Sequence, residues 1–410
     1  MIDPGSFVDA ESSDVGSILT EMTRLVIDRD GALHPGLRMV ERSGELTVFC
    51  SDHAGTATDQ PLFDVPRELL IPVDGAAWVA SDQMLVLAEP PPGLTALQRD
   101  ALDLHIALYN ATGKLPWAMS SHPRLALRGE PEVLAAIKQV RPGFDVAGTG
   151  QRASEAPAAD VFLGTRVFGL PPAAAADKLE RAADPAAAAA AVAATRAAAG
   201  PAGSSADGSP DAPRQRVLMT LIDLLNHHPR GASYRVDARA MTPAVARPTG
   251  TDECFAHYGH RRDTLDLALN YGYLDTATDF IHCVPLDLDV AGFGAVRVGG
   301  ARRRPVNPLD PPQVTVDSEL LSLSHITFQR ARPDRWQTAV RMAVQATALQ
   351  RGAPMGRAQV AADAVVSAIV EAQRDALVRV GEAAAAIAAG NAAAALIARA
   401  AEFQVVGLPG

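Results

Sequence analysis

The chain has 410 residues, more than a single hydrophobic core usually serves, so its length predicts two domains. Its formal net charge of −10 argues against a nucleic-acid-binding protein, whose binding domain is usually basic. The three cysteines, Cys50, Cys254 and Cys283, form no C-x-x-C pair. Such a set argues against a disulfide framework and against a four-ligand zinc site, so no metal is expected.

The ends of the chain and its apolar stretches predict no membrane attachment. Residues 1–14 lack a basic region followed by an apolar run, so no signal peptide is expected. No charge-free apolar stretch reaches the roughly 18 residues that a membrane-spanning helix needs. We therefore expect a cytoplasmic protein without a membrane partner.

The first part of the chain mixes helix patterns with short strand patterns. Residues 17–30 carry apolar positions at helical spacing. Strand patterns, separated by Gly, Pro and Asp, follow at 37–40, 45–50, 61–65 and 69–73, and 78–88 fits either a helix or a strand. An amphipathic helix is predicted from Thr95, a suitable N-cap, to a stop at Gly113, and a further helix near 130–140.

Composition changes twice in the second half of the chain. Residues 172–213 are an Ala-rich, low-complexity segment whose Gly-, Ser- and Pro-containing end is typical of a flexible loop. Strand patterns resume at 216–223 and continue to about residue 300. A basic and proline-rich stretch at 302–312 indicates a linker, and helical patterns fill the chain from Val316 onward.

This order of elements predicts an α+β protein of many short strands with a helical insert, followed by an all-helical C-terminal domain. Regular βαβ alternation is missing, and no G-x-G-x-x-G follows a strand. The pattern therefore argues against a Rossmann-type methyltransferase. No Walker A sequence is present either.

An apolar run in the middle of the chain is interrupted by polar residues. Its sequence is LIDLLNHH, with Asp223 and Asn226 three positions apart and His227 directly after. Buried polar groups need hydrogen-bond partners, so these side chains require internal partners or a ligand. From the residues alone, the run is more typical of a turn in which Asn226 bonds to the nearby backbone.

Tyrosines are concentrated shortly after this run. Tyr258, Tyr271 and Tyr273 lie within one short segment, and the first two each precede a glycine. A buried tyrosine needs a partner for its hydroxyl, so such a cluster can line a polar aromatic pocket. It also fits a strand–helix–turn unit whose tyrosines only pack.

Taken together, these segments resemble the SET-domain methyltransferases of the Rubisco large-subunit methyltransferase type. The similar segments are GLRMV at 36–40, DVPRELL at 64–70, the helical stretch at 94–117, FLGTRVF at 162–168, the D-x-x-N-H match at 223–227, YGHRRDTLDLALNYGY at 258–273 and the helical tail ending in AAEFQVVGL. The resemblance therefore extends over nearly the whole chain.

The resemblance implies a SET-type β-fold and a particular domain order. The implied segments are an N-terminal helix at 1–30, a catalytic domain at 31–300 with a helical insert at 93–150 and the low-complexity insertion at 172–213, a linker at 301–315, and a helical substrate-binding domain at 316–410.

The resemblance also implies S-adenosylmethionine as the cofactor. Arg166 would hold the carboxylate of its methionine part in a charge-assisted contact. Asn226 and His227 would bind the cofactor, and Asp223 would support their turn. At Gly36 the main chain would approach the cofactor closely, because no side chain obstructs it.

Tyr271 resembles the family's active-site tyrosine, and Tyr258 would line the same channel. A lysine acceptor has a reference pKa of about 10.4, so the site must favour its neutral form by desolvation and by the charge of the sulfonium. Tyr271 would then orient the amine for in-line attack and take part in proton removal. Arg38 stands where the family has its second glycine.

The function implied is methyl transfer to an amine or imidazole nitrogen. The acceptor would be a protein lysine or histidine held by the C-terminal helices, or a small molecule if the chain is a bacterial tailoring enzyme of a biosynthetic pathway. Two alternatives remain open. One keeps the fold for non-methylating chemistry by Tyr258, Tyr271 and Tyr273, and the other is a non-catalytic module that binds a partner.

Overall fold

A computed structural model describes residues 2–51, 61–81, 84–146, 157–170, 215–248, 251–258, 261–299, 310–317 and 320–409. The protein is of mixed α+β type with a helical C-terminal region. The predicted low-complexity insertion at 172–213 and the linker residues 301–309 lie outside the described residues. The chain forms two compact units, the first made of Met1–Leu115 and Phe162–Tyr258 and the second of Pro116–Val161 and Gly259–Gly410.

The first unit is rich in short strands. Its helices are α1 (Ser13–Ile27) and α2 (Ala96–Ala111), with 3-10 turns at Pro4–Phe7, Arg67–Leu69 and Ile222–Leu224. Its strands are β1 (Val8–Ala10), β2 (Ala32–Leu33), β3 (Leu37–Arg42), β4 (Glu45–Cys50), β5 (Phe63–Pro66), β6 (Leu70–Pro72), β7 (Ala77–Ser81), β8 (Met84–Glu89), β9 (Phe168–Leu170), β10 (Gln215–Met219), β11 (Asn226–Ala232), β12 (Tyr234–Val236), β13 (Ala240–Pro243) and β14 (Phe255–Ala256).

These strands form small sheets rather than one large one. The sheet orders are β1-β3-β4, β6-β10-β9 and β12-β13-β5-β2, with β7-β8 and β11-β14 as two-stranded pairs. Most of the pairings are antiparallel, but β1 pairs with β3 and β11 pairs with β14 in parallel. The segment 78–88, whose pattern fitted either a helix or a strand, lies almost wholly in the β7–β8 hairpin.

Helix α2 begins at a complete capping box. The Thr95 hydroxyl accepts from the Gln98 amide at 3.1 Å, and the Gln98 side chain accepts from the Thr95 amide at 3.2 Å. Leu102, His105 and Tyr109 are buried at helical spacing, so one face of α2 is directed into the unit. This face carries two polar side chains into the interior.

The second unit contains the remaining elements. Helices α3 (Lys114–Ser121) and α6 (Pro157–Gly164) contain the chain boundaries between the units, and the other helices are α4 (Pro123–Ala126), α5 (Pro131–Val140), α7 (Thr264–Tyr271), α8 (Asp334–Gln350), α9 (Met355–Ala385) and α10 (Ala392–Val406). The strands are β15 (Phe280–His282), β16 (Leu286–Val290), β17 (Gly294–Val298), β18 (Gln313–Val316), β19 (Leu320–Ser324) and β20 (Thr327–Gln329).

The predicted domains follow one another along the chain, whereas the two compact units are interleaved. Val133, Ile137 and Val140 of α5 belong to the same apolar core as the C-terminal helices, which explains why 116–161 joins the second unit. The helical pattern expected from Val316 begins only at Asp334, because β18, β19 and β17 form a ladder first. Residues 313–315, assigned to the linker that contains the neighbouring prolines, are part of β18.

A buried ionic network fixes α7 to its neighbours in the second unit. Arg141 contacts Asp263 at 2.5 Å and Asp266 at 2.7 Å, and Asp263 also accepts from the His282 amide at 3.0 Å. Burial alone would raise the pKa of Asp263, but the charge of Arg141 lowers it below its ordinary value. The network joins the end of α5, the start of α7 and β15. Tyr271 lies at the opposite end of α7.

Replacing Asp263 by asparagine should destabilise the second unit strongly. Asparagine lacks the charge to which Arg141 and the His282 amide donate, and hydrogen bonds to charged groups contribute about 1.5–3 kcal/mol each. Because the folded pKa of Asp263 is lowered, its contribution is complete above the pKa of the unfolded chain and is lost as the pH falls through the folded value. Urea unfolding of Asp263→Asn should therefore show its largest loss at neutral pH and a smaller loss in acid.

The matched control is Asp287→Asn, whose salt bridge to Arg297 is exposed on both sides at 59% and 76%. Exposed pairs contribute only about 0–1 kcal/mol. Equal effects of the two substitutions would contradict the structural role of the Arg141 network.

Candidate functional site

The predicted site residues are divided between the two units. All five predicted cofactor-binding residues and Tyr258 lie in the first unit, and Tyr271 lies in the second.

The Asn226–His227 segment and Tyr258 are joined by the β11–β14 ladder. Asn226 pairs with Phe255 and His227 with Ala256 in parallel register. The Tyr258 amide donates to His227 Nδ1 at 2.9 Å, and the Tyr258 hydroxyl donates to the Leu225 carbonyl at 2.7 Å. The tyrosine is thus held against the segment that carries the Asn-His pair.

Close packing of this ladder depends on a glycine. A Cβ atom at Gly231 would lie 2.5 Å from the main-chain carbon and oxygen of Ala256. Real side chains do not approach a backbone so closely, so only glycine lets β11 return to β14 after its register shift.

Asn226 has a carboxylate partner that the motif did not indicate. Its Nδ2 atom donates to Glu253 Oε1 at 2.8 Å, and Glu253 comes two residues before the β14 segment. Partial burial raises the pKa of Glu253, although the hydrogen bond from Asn226 opposes that rise. The Asn226 side chain itself is exposed, so it can reach a ligand while Glu253 fixes its orientation.

Asp223 lies in a buried polar cluster with two residues of α2. The Tyr109 hydroxyl donates a short hydrogen bond to Asp223 Oδ2, and His105 Nδ1 lies 3.2 Å from the Tyr109 oxygen. The side chains of His105 and Asp223 are only 0% and 2% exposed. Burial, reinforced by the charge of Asp223, raises the pKa of Tyr109 well above its ordinary value, so the phenol remains a donor.

Two atoms of this cluster have no hydrogen-bond partner among the described residues. They are Asp223 Oδ1 and His105 Nε2, and both are buried. An unpaired buried polar atom is costly, so each such atom in a folded protein requires an explanation. A ligand that donates a hydrogen bond to Asp223 Oδ1 would explain why that atom has no protein partner.

Arg166 stacks on the same tyrosine. Its guanidinium carbon lies 3.9 Å from the Phe162 ring centroid and 5.3 Å from that of Tyr109. Its Nη1 atom donates to Thr165 Oγ1 at 2.8 Å and to the Phe162 carbonyl. Tyr109 therefore contacts both Arg166 and Asp223, which are far apart in the sequence, and brings them together.

Gly36 and Arg38 flank the start of β3. The Gly36 amide donates to His34 Nδ1 at 3.1 Å, and its carbonyl accepts from the Ser51 amide at 3.0 Å. Arg38 is exposed, and its guanidinium donates to the Leu37 carbonyl at 2.6 Å. The side chain at this position, where the resembled motif has a glycine, is thus exposed to solvent.

Tyr271 ends α7 in the second unit, where Gly272 takes a left-handed conformation with a φ of 76°. The Arg262 guanidinium carbon lies 5.1 Å from the Tyr271 ring centroid, and the Tyr273 ring lies 6.4 Å away. Tyr271 and Tyr273 therefore lie near each other, and the ring of Tyr271 also lies near the charge of Arg262.

Two open grooves are lined by other residues. One of about 400 Å³ in the first unit is bordered by charged side chains that include Asp64 and Arg239. The other, of about 390 Å³ in the second unit, is bordered by residues that include Trp336 and Phe403. Neither is lined by a predicted site residue.

No family model matches the chain, and no curated protein is significantly similar to it. Within the described residues, no helix has the length and apolar character needed to cross a membrane. The functional assignment therefore depends on the geometry of the residues themselves and on the motif resemblance.

Tyr109→Phe tests whether the buried cluster organises the site. The substitution keeps the ring beneath Arg166 and removes only the hydroxyl that pairs with Asp223, so the free energy of unfolding should fall by about 1–3 kcal/mol. Chemical denaturation measures the change. The comparison variant Tyr258→Phe loses a hydroxyl bonded to a neutral carbonyl and should lose only about 0.5–1.5 kcal/mol. A smaller loss in Tyr109→Phe than in Tyr258→Phe would refute the assignment.

Proposed function

We propose that the chain is a SET-type, S-adenosylmethionine-dependent methyltransferase whose first unit binds the cofactor. The observation that carries this proposal is the double contact of Tyr109, which hydrogen-bonds Asp223 and lies under the Arg166 guanidinium. Two of the motif residues, Arg166 and Asp223, are far apart in sequence and both contact this tyrosine.

The residues present suit this cofactor chemically. Arg166 is partly exposed, and its hydrogen bonds to described residues use Nη1 only, which leaves Nε and Nη2 to meet a carboxylate side-on. The buried Oδ1 atom of Asp223 requires a donor, and an α-ammonium group is one. Asn226 presents an exposed amide, with Nδ2 held by Glu253 and Oδ1 as an acceptor.

S-adenosylmethionine supplies an electrophilic methyl group on a sulfonium when it is bound. The chain contributes binding and orientation. Arg166 holds a carboxylate, Glu253 fixes Asn226, and the β11–β14 ladder fixes His227 relative to Tyr258. In such a reaction most of the rate gain comes from positioning.

Each tyrosine, Tyr258 in the first unit and Tyr271 in the second, has a hydroxyl whose chemistry suits a nitrogen group. The Tyr258 proton is directed to the Leu225 carbonyl, so the phenol oxygen presents its lone pairs toward an N–H group. Tyr271, at the end of α7, orients the amine or imidazole and accepts a hydrogen bond from it. The acceptor nitrogen must be neutral for attack, and desolvation favours that form.

Titration calorimetry with S-adenosylmethionine and S-adenosylhomocysteine tests cofactor binding directly. The wild-type protein should bind both, and Arg166→Gln should weaken binding by about 10- to 100-fold because a charge-assisted hydrogen bond is lost. Asn226→Ala should weaken binding by about tenfold for loss of one polar contact.

The matched control for the arginine is Arg297→Gln, which removes an exposed charge in the second unit and should leave the affinity unchanged. Circular dichroism establishes that each variant is folded. Absence of saturable binding to the wild-type protein, or equal affinity in wild type and Arg166→Gln, would refute the proposal.

Tyr271→Phe tests the catalytic step separately from binding. With a tritiated methyl group and a cell extract as acceptor source, the rate of transfer should fall by about 100-fold or more because the orienting hydroxyl is lost. The calorimetric affinity for the cofactor should remain within about twofold of the wild-type value. Counting protein and small-molecule fractions separately identifies the class of acceptor.

Tyr273→Phe serves as the neighbouring control and should retain most of the transfer rate. If Tyr271→Phe transfers methyl groups as fast as the wild-type protein, Tyr271 has no role in orienting the acceptor.

A further inference from the structure

Two arginines lie beside Tyr271 in the second unit, and both lack a salt bridge to any described carboxylate. Arg262 stacks over the Tyr271 ring at 5.1 Å. Arg124 Nη2 donates to Asn270 Oδ1 at 3.3 Å, one residue before Tyr271. Both arginines are partly buried, so water screens their charges incompletely.

Arg124 has a buried donor, its Nε atom, without a hydrogen-bond partner among the described residues. Burial lowers the pKa of Arg124, and the like charge of Arg262 lowers it further, whereas Asp145 and Tyr271 act in the opposite direction. Arg141 in the same unit provides a contrast, because it is buried and paired with two aspartates.

Asp145 offsets part of the charge of Arg124, but neither arginine forms a salt bridge with a described carboxylate, and two like charges this close together favour an anion between them. A guanidinium offers a planar pair of donors, which matches the oxygens of a carboxylate or phosphate group. The surroundings also offer aromatic surface. Trp117 is 43% exposed, and its ring approaches Gly272 so closely that a Cβ there would lie 3.3 Å from it.

We infer that Arg124 and Arg262 form a binding site for an anionic oxygen group, a carboxylate or a phosphate, carried by the molecule that Tyr271 orients. This inference rests on the proposed function for the identity of that molecule as the methyl acceptor. The acceptor then bears both a nucleophilic nitrogen and an anionic group. The positive charges of the site also disfavour a protonated amine beside Tyr271, which agrees with the need for a neutral nucleophile.

Calorimetric titration of the full chain with inorganic phosphate, and separately with acetate, tests the site at fixed ionic strength. The wild-type protein should bind at least one of them saturably, and the preferred anion tells a phosphate site from a carboxylate site. Arg262→Gln, which keeps the length of the side chain, should weaken binding by about tenfold or more.

Arg124→Gln is the second variant and should weaken binding similarly. Arg297→Gln is the matched control in the same unit and should bind like the wild-type protein. Lack of saturable binding of both anions, or wild-type affinity in folded Arg262→Gln, would overturn the inference.

The two proposals fail independently in this design, because the anion titration contains no S-adenosylmethionine. Anion binding without cofactor binding would leave the arginine site intact and refute the methyltransferase assignment. Cofactor binding without anion binding would refute the arginine site and leave the methyltransferase proposal intact.

Discussion

The hydrogen bond between the Tyr109 hydroxyl and the Asp223 carboxylate is the constraint on which the candidate cofactor site depends. It is made where water cannot compete, so neither partner can be removed without leaving a buried polar group unpaired. The ring of the same tyrosine supports Arg166. One side chain of α2 therefore sets the position of a cation and of a carboxylate, and the 3-10 turn that holds Asp223 leads directly into Asn226 and His227.

In the second unit a different interaction has the corresponding role. Arg141 pairs with Asp263 and Asp266 at the start of α7, and the helix then carries Tyr271 at its other end. Arg141 has two carboxylate partners, whereas Arg124 and Arg262 form no salt bridge with a described carboxylate. The first arrangement stabilises the fold, and the second leaves guanidinium groups suited to an anionic ligand.

Local patterns in the sequence predicted much of the fold. Thr95 marked the start of α2, and the alternating run at 45–50 coincides with β4. Partners distant in sequence could not be predicted, since nothing near Asn226 indicates Glu253 and nothing near Tyr109, within the helical stretch at 94–117, indicates Asp223. The spacing of four residues between His105 and Tyr109 placed both on one helix face, which was the available signal. The strands β18 to β20 were missed because their short alternating runs adjoin long helical patterns.

A crystal structure of the chain soaked with S-adenosylhomocysteine tests the central claim most directly. The account predicts that the ligand carboxylate contacts Arg166 and that Asn226 and the buried Asp223 oxygen make polar contacts with the same molecule. Ligand bound away from these residues, or no ligand density at saturating concentration, would contradict the assignment of this unit as a cofactor-binding domain.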